Sequence, residues 1–548
     1  MRIFNIKRTT GWCRLSIVHS ALCIAMLTAC SDFLDPEMTD SINQKTFYST
    51  ESQIDQAMNG IYHLTLDIAR YRWIMSEERS DNVWIEQDKS GGVYDIAYFK
   101  NSSLVSSSHV LNTWKTLYAI VANANVVLEK IDAVNFTDEA IKNHYKGELR
   151  FLRALAYFDL VRYFGNIPVS TQALTPEEGY TIHQSDAKSV YEQVIVPDLL
   201  YASENLLEVA KRYDGKTEQA LGRPTQMAAK ALLAEVYVTM SGYPVMDSSK
   251  KELAKTLLKE VIDYSEANDN KWWASDMTAW NSMWLHENNN KFFIFEIQCA
   301  TDESYSVGNP VTPMTVDRWS GSYYGGTKNQ LAGASYGYPY VEPSLRKYLM
   351  TTNSSGDYID KRCFHTITVK DDNGKTITTN EFYYMKFWEN KVKREALGYS
   401  DIATSLPDKS TIWPQDFPII RLENIILYYA ELLGKSADGL KYLNKTRVRA
   451  GLTAYKLSDF STDDAYLQAV LDERRIELAA EGHRWFDLVR LNIWQETMKS
   501  MFTTDGPDSA LPTSVEFAEN VLPYTYLFPI PLQQLQLRDG LYNQNKGY

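Results

Sequence analysis

The chain has 548 residues, 69 acidic against 56 Lys and Arg, a formal charge of −13 and 44% hydrophobic residues. That length suffices to bury a large core, and so acidic a surface repels nucleic acid and leaves no broad basic patch for a polyanion.

Residues 1–29 read as a targeting leader: Arg2, Lys7, Arg8 and Arg14 are basic, no acid is present, and an apolar stretch runs from about Leu15 to Ala29. The stretch is shorter than the about 20 apolar residues a spanning helix needs. It ends in Leu27-Thr28-Ala29-Cys30, which resembles a bacterial lipobox. The resemblance implies a mature chain that begins at Cys30 with lipid on its thiol; the other reading is an ordinary secretory signal followed by a chance cysteine. Each buried methylene contributes about 0.8 kcal/mol, so several acyl chains hold a protein on a bilayer with no crossing helix. Losing the leader's four basic residues takes the charge from −13 to −17. Cys13 and Cys23 leave with it, so Cys299 and Cys363 remain, to pair or to stay free.

A polar tether over residues 30–45 precedes the first expected helix, Gln53 to Arg72, and the loop Glu78-Arg79-Ser80-Asp81-Asn82-Val83-Trp84 follows it. Apolar residues recur at helical spacing from Asn112 to Ile131 and from Glu148 to Phe164, where Gly165 and Pro168 close the second run. Thr225 to Met240, behind Gly222-Arg223-Pro224, pairs with Leu253 to Ala267 across a turn containing Gly242-Tyr243-Pro244. Such pairs suggest tetratricopeptide-like hairpins, although no clean repeat at that period is visible. From about residue 268 to 420 Trp, Tyr, Gly, Asn, Ser and Thr accumulate, with short β-rich runs at Phe292 to Ile297 and Thr366 to Val369. Helices return at Arg421 to Gly434, Leu440 to Ala450, Ala465 to Ala480 and Arg484 to Leu491. No later segment has an uninterrupted apolar run of membrane length, so a soluble domain is expected. The expected fold is mostly α, one domain over 46–548: a helical-hairpin scaffold over about 46–267 and 420–500, a loop-rich, small-β variable part over about 268–420, and a tail over 501–548.

Several motifs resemble the SusD/RagB family of Bacteroidetes outer-membrane lipoproteins. They include Arg150-Phe151-Leu152-Arg153-Ala154, Tyr163-Phe164-Gly165-Asn166-Ile167-Pro168, Gly222-Arg223-Pro224-Thr225 and the run from Asp416 to Glu431. Leu443 to Leu452, Glu473 to Arg490 and Phe528-Pro529-Ile530-Pro531 continue the series in order. The resemblance implies helix pairs of tetratricopeptide type supporting a variable loop-rich part. It also implies a surface protein that captures oligosaccharides, or in some relatives peptides, beside a SusC-like TonB-dependent transporter. Because relatives often bring ligand contacts from the loop after the first helix, Asp81, Asn82 and Trp84 become candidates. Asp81 and Asn82 read equally well as caps of a turn.

Sugars offer flat C–H faces and hydroxyl edges that suit aromatic platforms beside amides and charges. Trp319-Ser320-Gly321-Ser322-Tyr323-Tyr324-Gly325-Gly326, in a stretch with no helical pattern, supplies Trp319, Tyr323 and Tyr324 as further candidates. Trp114 and Tyr118, four apart on a helix, read as core; Trp485 and Phe486 read as packing; Trp284 reads as buried; Trp272, Trp273, Trp388 and Trp413 are left undecided. Catalysis finds little support: histidines are scattered, and no HExxH or CxxC occurs. Glu473, Glu477 and Asp487 stand among arginines, which lower a carboxyl's pKa where a general acid needs it raised. A structural ion-pair network is the expectation there, with no cofactor or metal, and the rival reading of a surface glycoside hydrolase would need two carboxylates across a cleft.

Overall fold

A computed structural model describes residues 47–85, 92–214, 222–285, 291–301, 307–315, 339–367, 369, 382–388, 413–503 and 515–548. The main helices are α1 (Glu51–Arg72), α2 (Ser108–Lys130), α3 (Glu139–Phe164), α4 (Val196–Asn205), α5 (Gln226–Ser241) and α6 (Lys250–Ala267). They continue with α7 (Leu422–Leu433), α8 (Ala437–Arg449), α9 (Asp463–Glu477), α10 (Arg484–Arg490) and α11 (Trp494–Thr503). From α1 to α9 each helix packs on the next in one continuous array.

Local signals set the ends. Thr50, Asp138, Thr225 and Thr462 cap α1, α3, α5 and α9 by accepting a first-turn N–H on their side chains. Helix α3 starts nine residues before the expected Glu148, because its first turns are polar and hide the apolar period, while the Asp138 cap marks the true start. It ends at Gly165, φ 70°, where a Cβ would stand 2.7 Å from the Leu527 side chain.

The helices α6 and α7 pack directly although about 150 residues separate them, so the chain leaves the array after α6 and rejoins it alongside. The excursion carries β4 (Phe293–Ile297), β5 (Pro339–Val341) and β6 (Phe417–Arg421) of the described strands. Strand β4 pairs antiparallel with β6, which runs straight into α7, and Phe295 meets Phe151 of α3 edge-on at 4.8 Å. Strand β1 (Val83–Ile85) pairs with β5, and β2 (Ile167–Pro168) with β3 (Gln184–Ser185). The strand expected at 366–369 is instead a helical turn, Cys363–Thr366, followed by a single bridge from Ile367 to Tyr384. Cys299 and Cys363 are both free. No described helix is long and apolar enough to cross a membrane.

Candidate ligand platform

The segment after α1 is built to hold a short strand still. A π-helical turn, Trp73–Glu77, leads into a buried bend in which Glu77 receives Ala480 N–H at 2.7 Å, Gly482 N–H at 2.9 Å and the Asn82 amide at 2.8 Å. Gly482, φ 78°, brings its backbone against Arg72, where a Cβ would stand 2.9 Å from that residue's Cβ. Asp81 is gripped in bidentate fashion by Arg484 at 2.7 and 2.9 Å and approached by Arg475 at 3.4 Å. Burial alone would raise the Asp81 carboxyl; Arg475 and Arg484 overcome it and hold the group well below the usual carboxylate range. Asn82 accepts from Arg475 Nε at 3.0 Å through its side chain, and its carbonyl accepts from the Tyr384 hydroxyl at 2.7 Å and Glu342 N–H at 2.9 Å. Both candidates are therefore buried, with their polar groups engaged inside the protein.

Trp84 is turned the other way. In β1 the burial alternates, with Val83 and Ile85 in the core and Trp84 half-buried on the opposite face. The register places Trp84 opposite Tyr340 of β5, and the two rings stack 5.8 Å apart at 21°. Tyr383 meets Tyr340 edge-on at 5.2 Å, and the three form an aromatic cluster separate from the main core. Val341 N–H donates to Phe382 O at 2.7 Å and fixes the Tyr383 segment alongside. Tyr340 and Tyr383 were not among the residues expected from sequence; only the pairing of β1 with β5 reveals them. Trp319, Tyr323, Tyr324 and Cys30 lie outside the described residues.

The other aromatics fall inside. Trp114, Trp284, Trp485 and Phe486 are buried as expected; Tyr118 is half-buried; Trp272, Trp388 and Trp413 are buried, and Trp273 is partly so.

The charged C-terminal helices form a buried network. Glu477 accepts from Arg362 and Arg421 at 2.8 Å and Arg449 at 2.6 Å, Glu473 from Arg362 at 2.7 Å, and Glu481 from Arg421 and Lys386 at 2.7 Å. Burial opposes the charge on Glu477, but Arg449, Arg421 and Arg362 hold its pKa well below the ordinary value; in the same way Arg474 and Arg490 bring Asp487 down to about 2. Carboxylates so held cannot donate a proton near neutral pH. Other buried carboxyls go the other way: desolvation raises Glu77 and Asp198, Glu78 well above its ordinary value, and Asp416 to about 7. Among the described residues no cluster of three His, Cys, Asp or Glu is placed to hold a metal.

Residues 293–548 match the family model described as SusD family, and residues 32–238 the one described as starch-binding associating with outer membrane. SusD-like protein P25 of Formosa agariphila is 24% identical over 552 residues, 95% of this chain and 97% of its own. A SusD homolog from Bacteroides thetaiotaomicron has the same fold, with TM-score 0.72 and 23% identity over 92% of this chain and 98% of the other. A laminarin binding SusD-like protein follows at TM-score 0.67 and 24% identity, covering 91% of this chain and 100% of its own. Surface glycan-binding protein A from Bacteroides fluxus superposes at TM-score 0.66 with 21% identity, over 91% of this chain and 100% of the other.

Proposed function

Because the chain belongs to the SusD/RagB family, we propose that it is a lipid-anchored outer-membrane protein that captures an oligosaccharide and passes it to a SusC-like TonB-dependent transporter without cleaving it. In this reading residues 1–29 are the leader, Cys30 carries the lipid and residues 30–45 are the tether. The observation that carries the binding step is the Trp84–Tyr340–Tyr383 cluster, three rings held by backbone pairing with Trp84 partly open to solvent. Rings fixed in this way offer apolar area to a sugar face at little cost in side-chain entropy. Asp81 and Asn82 serve it by anchoring β1, and Trp319, Tyr323 and Tyr324 belong to the segment that immediately precedes β5. Relatives whose names state glycan or laminarin binding favour a sugar over a peptide.

Calorimetry against a glycan panel and a protein digest tests the reading. A glycan should bind, and Trp84→Ala should weaken it by about tenfold or more, a usual cost for truncating a central aromatic, with the unfolding midpoint unchanged. Binding to peptides alone, or release of reducing ends from the glycan, would overturn it. Fatty-acid labelling that persists in Cys30→Ser would remove the anchor assignment, and failure of a SusC-like transporter to co-purify would remove the delivery step.

A further inference from the structure

A second site lies on the helical scaffold, on elements that contribute nothing to the Trp84 platform. Two neighbouring cavities, of about 410 and 680 Å³, lie along a groove between α2, α3 and α4 under residues 168–174, with Asn125 and Gln172 standing between them. These volumes fall in the range of small-molecule sites. One end is aromatic, with Trp114, Tyr118, Tyr157 and Tyr542 in its wall. At the other end the Arg150 guanidinium lies over the Tyr201 ring, 4.0 Å from its centre.

The groove is preformed. Tyr157 OH and Ser170 exchange hydrogen bonds at 2.9 Å, Tyr118 OH donates to Pro168 O at 2.7 Å, and Asn125 donates to Ser170 O at 3.1 Å and Gln172 O at 2.9 Å. Most of its charges are also paired off. Asp198 takes Arg153 at 2.7 and 2.8 Å, Asp132 takes Lys146, and Glu129 takes Lys130 at 2.8 Å. Arg150 has only a 3.9 Å approach to Asp198; its Nε is buried without a hydrogen-bond partner, while its side chain is 35% exposed. Lys115, at the aromatic end, meets Gln533 at 3.4 Å and offers a point charge, whereas Arg150 offers a planar fork that a carboxylate or sulfate matches.

Resting on the glycan-binding reading, we propose that this groove is a second oligosaccharide site, for a sugar bearing an anionic substituent: rings against Tyr118 and Tyr542, the anion on Arg150.

Calorimetry on the mature chain would use an oligogalacturonate, its methyl ester and a sulfated galactan oligosaccharide, in wild type and in Trp84→Ala, Ala122→Trp and Arg150→Gln variants. Ala122 is an exposed groove residue, so its tryptophan fills the space without removing a contact. An anionic probe should bind Trp84→Ala about tenfold more tightly than the neutral ester, the usual advantage of a charged hydrogen-bond pair. Arg150→Gln should erase that difference, Ala122→Trp should abolish this binding, and the two acids show whether carboxylate or sulfate is preferred. Loss of all binding in Trp84→Ala with Ala122→Trp unaffected overturns the groove and leaves the platform. Binding of the acids that ignores Trp84→Ala yet fails in Ala122→Trp supports the groove, and the platform then stands or falls on the glycan panel. If neither acid binds wild type, the groove proposal falls, whatever the glycan panel shows.

Discussion

Asp416 shows how one buried carboxyl can set a pH dependence. It accepts Cys299 N–H at 2.7 Å and the Gln298 amide at 3.0 Å, yet desolvation outweighs both and raises its pKa to about 7. A carboxyl with a folded pKa above its unfolded value near 4 keeps a proton that the unfolded chain has lost. Its contribution is therefore intact at about pH 4 and declines as the pH rises toward 7. Asp487 is opposite in sign: depressed to about 2, it stabilises above about pH 4 and loses that contribution as acid protonates it. In urea titrations the wild-type midpoint should fall between about pH 5 and pH 8, and Asp416→Asn should flatten that fall. An equal slope in both proteins would rule Asp416 out as the cause. Asp416 opens a motif run in the sequence, but its raised pKa was not legible there, because Gln298 and Cys299, just after β4, lie more than a hundred residues upstream.

Among elements, α9 is the joint between scaffold and excursion, since Glu473 and Glu477 reach Arg362 and Arg421 from its buried face. Glu477→Ala would take one carboxylate partner from each of three buried guanidinium groups and should cost about 3–5 kcal/mol, read as a drop in the urea midpoint. A loss below about 1 kcal/mol would mean the network relaxes without it. That an ion-pair network sits here was legible from the charge density of residues 473–490; its partners Arg362, Lys386 and Arg421 were not, because nothing local marks them. The long helices were legible within a few residues for the same reason: their period and caps are local. Trp84 could be proposed, but its outward face could not, since three residues of strand carry too little alternation and their partner β5 lies some 250 positions away. Asp81 and Asn82 turned inward for a related reason: Arg475 and Arg484, which take them, are about 400 residues downstream.

At the scale of the molecule, the last residues are wound back into the structure. Gln544 accepts Ile530 N–H at 2.7 Å, Asn545 donates to Phe164 O at 2.9 Å and Phe528 O at 2.7 Å, and Tyr548 OH donates to Leu527 O at 2.8 Å. At about 1 kcal/mol for each bond, deleting residues 544–548 should remove about 4 kcal/mol and lower Tm by several degrees. An unchanged Tm would show these contacts to be ornamental. The same stitching runs deeper: Ser76 donates to Gly482 O at 2.7 Å and Arg79 to Thr525 O at 2.8 Å, across 406 and 446 positions. A ribosome emits those early residues long before their acceptors exist. The nascent polypeptide therefore cannot complete this joint while it is being made, and on the export proposed above a channel that admits only unfolded chains would meet one still open enough to thread.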